Sequence, residues 1–247
     1  MTTIERKLRF LTFSNLAAWT MLGVLLLSGF RESHRLRVDQ LEAERVNIVG
    51  PDGQPVMALS NRRHIPGPTF EGKEYPRSFA DGRDAFSGII FFNEQGDEVG
   101  GLIYTGFPKD SGYWAGGHLS FDQWKQNQVV ALQYLDNSRS RRAGLRVWDR
   151  PSDVTMGEYF DVALQRIESE DPAERDSLRA VQHAMSADGG LGIERLFVGS
   201  QDRVAQVQIR DTRGRVRARL LVDENDAARL EFLDEDGDVV AGYPTTD

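Results

Sequence analysis

The chain predicts a mainly β fold, an antiparallel meander of repeated β-hairpins forming a sandwich or partly closed barrel, with a helical-hairpin insertion and one transmembrane helix ahead of it. Three observations predict this. Residues 10–30 carry no charge, four segments repeat one hairpin pattern, and the apolar spacing becomes helical only over about residues 155–186.

The hairpin pattern is strand, polar turn closed by glycine, strand. It occurs in ERVNIVGPDGQPVMAL, IIFFNEQGDEVGGLIY, VQIRDTRGRVRARLLV and RLEFLDEDGDVVAGY, which align on Gly53, Gly96, Gly214 and Gly237. Three of the four place Asn93, Asp211 or Asp234 three residues before that glycine. Asp or Asn opens a type I turn, and a glycine with φ > 0 closes it with the bulge that joins two antiparallel strands. Alternation agrees: Val216, Ala218, Leu220 and Val222 share one strand face, and Arg215, Arg217 and Arg219 the other. The expectation is that the apolar face is core and the arginine face is wet, with cross-strand partners such as Glu231. GHLSF and QVVALQYLD form a further pair around the polar loop 122–127, and AGLRVWD supplies another strand. The uneven spacing of the repeats argues for duplicated hairpins rather than a solenoid.

In the insertion, Met156, Phe160, Ala163, Leu164 and Ile167 form one helical stripe, and Leu178, Val181 and Met185 a second. Between them, Asp171, Pro172 and Glu174 have the N-cap, first-turn proline and N3 acid that start a helix.

The uncharged run FLTFSNLAAWTMLGVLLLSGF is long enough, at about 1.5 Å per residue, to cover roughly 30 Å of hydrocarbon as a helix. Its end lacks the small-residue cleavage pattern of a signal peptide, so it reads as an uncleaved anchor. Residues 1–9 form a cytoplasmic tail and residues 31–44, with Leu36, Val38 and Leu41, a short helical stalk. Basic residues flank both sides, Arg6, Lys7 and Arg9 against Arg31, Arg35, Arg37 and Arg45. The short basic tail favours a signal-anchor in the inner membrane with the domain of residues 45–247 in the periplasm or outside the cell.

Beyond residue 37 there are 24 basic and 36 acidic residues, a net of −12, a field that repels nucleic acid. The chain has no cysteine, which excludes disulfides, thiol catalysis and cysteine-ligated metals. His34, His64, His118 and His183 show no paired-ligand spacing, and no G-x-S-x-G elbow is present. No catalytic residue, metal or cofactor is therefore assigned. The acidic stretches Asp234–Asp238 and Asp223–Asp226 read as turns, since the later bidentate glutamate of a calcium loop is missing. SFDQWKQNQ could be a carbohydrate-facing loop or a strand edge.

Residues 60–87 are the strongest candidate for recognition. This stretch is aperiodic, rich in proline and glycine, and gathers Asn61, Arg62, Arg63, His64, Lys73, Arg77 and Arg83 in an acidic domain. Such donors suit a carboxylate, a phosphate or an acidic partner. They suit equally well simple pairing with neighbouring acids such as Glu94, Asp97 and Glu98.

ERVNIVGPDGQPVMALSNRR, SGIIFFNEQGDEVGGLIY and LSFDQWKQNQVVALQY resemble a group of uncharacterised bacterial proteins with one N-terminal span. The resemblance covers most of residues 40–150 and, more loosely, 193–243. It implies an architecture and no catalytic residue. The expected function is a membrane-anchored, non-enzymatic binding or assembly module, with a protein partner or a second copy of the chain. The alternatives are a cell-envelope hydrolase with a loop-borne site recruiting His64, Asp84 or Asp122, and a cytoplasmic membrane-attached scaffold.

Overall fold

The computed structural model describes residues 3–29, 36–80, 82–187 and 190–244, with the side chains of its first helix described over 4–24. The chain falls into two units, Met1–Glu42 and Ala43–Asp247.

In the first unit, α1 (Thr3–Gly29) is one continuous helix. Thr12 and Ser14 donate their hydroxyls to the carbonyls of Leu8 and Leu11, at 2.8 and 3.1 Å, and Thr20 donates to Leu16, so these polar side chains are satisfied inside the helix. Phe10, Phe13, Leu16, Trp19 and Met21 are exposed. Among the described residues, no helix is long and apolar enough to cross a membrane. Of the expected stalk, residues 31–35 lie outside the described residues and residues 36–44 are not helical. Leu36, Val38 and Leu41 are spaced two and three residues apart, which gives no continuous helical stripe, and so short a helix is marginal in water without one.

The second unit contains, in chain order, β1 (Arg45–Val49), β2 (Pro55–Ser60), β3 (Thr69–Phe70), β4 (Lys73–Glu74), β5 (Ser87–Phe92), β6 (Glu98–Lys109) and β7 (Gly112–Asp122). It continues with β8 (Gln128–Asp136), β9 (Arg141–Asp149), α2 (Met156–Glu168), α3 (Pro172–Ser186), β10 (Ile193–Gln201) and β11 (Val204–Arg210). β12 (Val216–Val222), β13 (Ala228–Leu233) and β14 (Val239–Tyr243) complete it. All strands but β3 and β4 join one 12-stranded antiparallel sheet in which each pairs with its neighbours in sequence. The meander is thus found, but neither a sandwich nor a closed barrel: there is one large sheet, and β1 and β14 stand at opposite ends of it. Closure needs edge strands long enough to carry the tilt and stagger of a barrel, and here both edges are five residues long.

The four glycine-closed turns are as the sequence predicts. Gly53, Gly96, Gly214 and Gly237 have φ between 78° and 93°, and beside each turn the strand register shifts by a bulge. Asn93, Asp211 and Asp234 each accept from two backbone amides across the turn. Asp223 does the same with Asp226 in the positive-φ position, which accounts for both acidic stretches as turns.

The two sheet faces differ. Leu102, Leu119, Leu132 and Leu145 occupy one row across β6 to β9. Val198, Val207, Leu220 and Leu230 continue that row across β10 to β13. This outer face was the expected core, yet Leu220 is 54% exposed. The reason is that the covering segments, residues 61–80, 82–86 and α2, pack on the opposite, inner face. There Ala58, Ile65, Ile90, Phe92 and Ile103 form the core, and Phe70, Tyr75, Met156 and Phe160 a second cluster. From β9 onward ion pairs join the apolar residues of the inner face: Glu194 meets Arg142 and Arg146, and Glu231 meets Arg219 and Arg229, beside the buried Phe197 and Leu221.

The insertion is the expected helical hairpin. Thr155 and Glu158 form a capping box on α2, Asp171 caps α3 ahead of Pro172, and Met156, Phe160 and Ala163 are buried while α3 buries none of its residues.

Two turn glycines separate conformation from contact. A Cβ on Gly237 would meet nothing within 4 Å, whereas one on Gly96 would meet the Gly72 backbone at 2.7 Å. Gly237→Ala is expected to cost about 1–2 kcal/mol, from the left-handed backbone alone. Gly96→Ala should cost clearly more, and equal urea midpoints for the two variants would show that the packing of the β3–β4 tip on this turn contributes nothing.

Candidate functional site

Alternation along β7 puts His118, Ser120 and Asp122 on the inner face while Leu119 and Phe121 point outward. Glu98 on β6 and Gln128 and Gln133 on β8 flank them. Residues 61–80, 82–86 and α2 roof this floor and leave a cavity of about 860 Å³, within the range of small-molecule sites. Its walls alternate in character. Phe79, Phe86, Tyr159 and Phe160 contribute from the roof, and Phe107, Lys109 and Trp114 from the far end of β6 and β7.

The roof is held by named contacts. Phe160 of α2 packs against Phe70, Tyr75 and Phe79 with ring centroids 5.7, 5.4 and 5.7 Å apart. Asp161 accepts from Lys73 at 2.6 Å and from the Tyr75 hydroxyl at 2.8 Å. The Lys73 hydrogen bond chiefly, then Tyr75 against some burial, holds the Asp161 carboxyl below its ordinary range. At the other end Asp97 is buried. Burial pushes its carboxyl up, but donors from Asn93, the Glu71 amide and Lys125 outweigh that and hold it down.

Arg83, 8% exposed, donates through Nε to the Pro66 carbonyl at 2.9 Å and grips Glu98 with both terminal nitrogens, at 2.9 and 2.7 Å. Such a buried bidentate pair occupies both oxygens of Glu98. Asp122 differs. Burial, then the Glu98 charge, push its carboxyl up to about 8, against the pull of Arg150 and Arg83. Its Oδ1 is shut off from solvent and has no hydrogen-bond partner among the described residues. Asp122 is therefore a neutral acid at pH 7, with an O–H to give. His118 is pushed down, by burial first and by Arg83 second, and is a neutral imidazole there. The floor thus presents uncharged donors and acceptors beside one internally compensated ion pair.

Of the seven residues singled out in the sequence, Arg83 lines this cavity and the other six do not. Asn61 accepts from the Arg63 and His64 amides within its own turn. Arg77 donates to the Arg62 carbonyl and pairs with Asp84 at 3.4 Å, His64 lies 2.7 Å from Glu44, and Lys73 is held by Asp161. The basic loop is a roof rather than a cluster of converging donors. His64 and Asp84 likewise lie outside the cavity that holds Asp122. His118, Ser120 and Asp122 were missed as a group. Their signal was present in GHLSFD, where polar side chains alternate with apolar ones on a strand whose neighbours are strands on both sides. No protein-family model, curated protein or solved structure matches the chain.

The raised Asp122 carboxyl has a thermodynamic consequence. Its folded value, about 8, exceeds the ordinary 3.8, so between those values the folded chain holds a proton that the unfolded chain has lost. Stability attributable to this group falls as pH rises from about 4 to 8 and is level above. Asp122→Asn should flatten that slope, gaining roughly 5 kcal/mol at pH 8 relative to pH 4. Urea midpoints across this range measure it, and parallel curves for the two proteins would mean that Asp122 titrates normally.

Proposed function

We propose that the chain is a membrane-anchored binding module whose cavity takes a small, uncharged, hydroxyl-bearing ligand with one apolar face, sugars being the class that fits. The observation that carries this reading is Asp122. A neutral carboxylic acid with an unpartnered buried oxygen, on the same strand face as a neutral histidine and in a cavity lined by amide side chains, offers hydrogen bonds to hydroxyls, and Lys109 at the far end is set apart from it. The aromatic side chains opposite supply surfaces on which an apolar ring face can rest. The binding reading is preferred to a hydrolase because Glu98, the second carboxylate of the cavity, has both oxygens engaged by Arg83.

The anchor belongs to the same reading. It is supported by an uninterrupted α1, by exposed apolar side chains around it, and by an apolar sequence that continues through residue 30. The short basic tail with Arg6, Lys7 and Arg9 argues for a cytoplasmic N-terminus and an extracytoplasmic domain.

Two experiments test the two halves. Titration of the full chain with neutral oligosaccharides, followed by the fluorescence of Trp114, is expected to saturate, to weaken at least tenfold in Asp122→Ala, and to weaken above pH 8 as the acid ionises. Tighter binding of anionic sugars, or indifference to Asp122, would sink the ligand assignment. For topology, a C-terminal alkaline phosphatase fusion should be active and a C-terminal green fluorescent protein fusion dark; the reverse pair of results puts the domain in the cytoplasm.

A further inference from the structure

The outer face of the sheet, opposite the cavity, is apolar from one edge to the other. The row from Val46 on β1 to Tyr243 on β14 contains no charged side chain. The next row, through Met57, Phe91, Phe121, Val130 and Val147 to Phe232, contains none either. A third runs through Tyr104, Gly117, Tyr134 and Ala143 to Val222. In the first of these rows Leu132 is 61% exposed, and Leu119 and Leu145 beside it 37% each. Contiguous apolar surface on this scale marks a contact.

We propose that this face is the contact between two copies of the chain, packed sheet on sheet. Extent is the first argument. Twelve strands about 4.8 Å apart make a face about 55 Å wide, and twist of about 20° per strand lets a rigid copy meet roughly half of that width. Three rows span about 20 Å along the strands with their side chains, so each copy buries about 600 Å² and the pair about 1,200 Å², the lower bound for a stable interface. Shape is the second. Tyr134 stands between Gly117 and Ala143 on the adjoining strands, a knob between two hollows. A two-fold axis can seat each knob in the other copy's hollow. The third argument disfavours lipid. A bilayer interior does not accept open sheet edges, and β1 and β14 are both open. An anionic headgroup layer would also meet acidic turns at the strand ends, among them Asp52, Asp110, Asp202 and Asp234–Asp238.

The chain has no cysteine, so single ones report cleanly. Leu119→Cys, Leu132→Cys and Leu145→Cys, made in the full chain in its membrane, are expected to give a dimer with a short bismaleimide at several times the yield of the turn variants Asn225→Cys and Glu235→Cys. Adding Tyr134→Arg should reduce that yield to the turn level. A second readout does not depend on that variant folding: a fluorophore on Leu132→Cys should self-quench and recover on mixing with excess unlabelled chain. Yields on the row no higher than at the turns, quenching of the fluorophore by brominated lipid, or cross-linking to a different polypeptide or to a cysteine placed in α1 would each overturn the proposal.

Discussion

Register is the constraint on which everything else in the domain depends. Side chains on a strand alternate between faces, so a slip of one residue in any pair would exchange its inner and outer sets. The bulged turns prevent this. Asn93, Asp211, Asp223 and Asp234 each fix their hairpin with an acceptor to two amides across the turn. For Asp211, burial raises the carboxyl, but Arg215 and those amides overcome it and hold the group down to about 2. The turn is therefore clasped by a charge that survives to strongly acidic pH. Because every strand pairs with its chain neighbours, each locally fixed register adds to the next. Rows remain unbroken over 12 strands, and His118, Ser120 and Asp122 stay together on one side.

A sheet this wide has more inner face than its own insertions can cover. Residues 61–80, 82–86 and α2 cover the part from β2 to β8, and the aromatic cluster around Phe160 joins the two covers into one roof. From β9 onward the same face mixes ion pairs with buried Phe197 and Leu221. The Arg83–Glu98 pair is buried where roof and floor meet. Its value there is geometric: breaking it would strand a buried carboxylate, so the pair commits the roof to one position over the floor.

Local chemistry was legible in the sequence and global closure was not. The four hairpins, their glycines and the helical insertion follow from spacing and turn residues, because short-range sterics dictate them. Whether 12 strands close, and which face gets covered, depends on long-range packing that alternation does not encode. Val216, Ala218, Leu220 and Val222 announce an apolar face correctly but say nothing of what meets it. The segment 60–87 was conspicuous for its arginines. In the structure they mostly hold backbone or single acids in place, whereas the groups that face the cavity come from a strand read as scaffold. Asp122 was visible as the start of a polar loop and as one of three residues a hydrolase could recruit, but not its altered acidity, which arises from burial and from Glu98, on another strand.

The cavity floor and the middle of the bare face are the two sides of the same strands, β6 to β9. That arrangement couples them physically. Asp122 stays neutral because burial keeps water from it and the Glu98 charge lies nearby. A layer packed on Leu119, Leu132 and Leu145 would shield the backbone of the floor strands and damp their local opening, deepening the low-dielectric setting in which an uncharged acid is the stable form. The two faces thus make opposite demands on one set of residues. The inner side needs polar groups spared from water, the outer side needs a cover, and meeting the second strengthens the first.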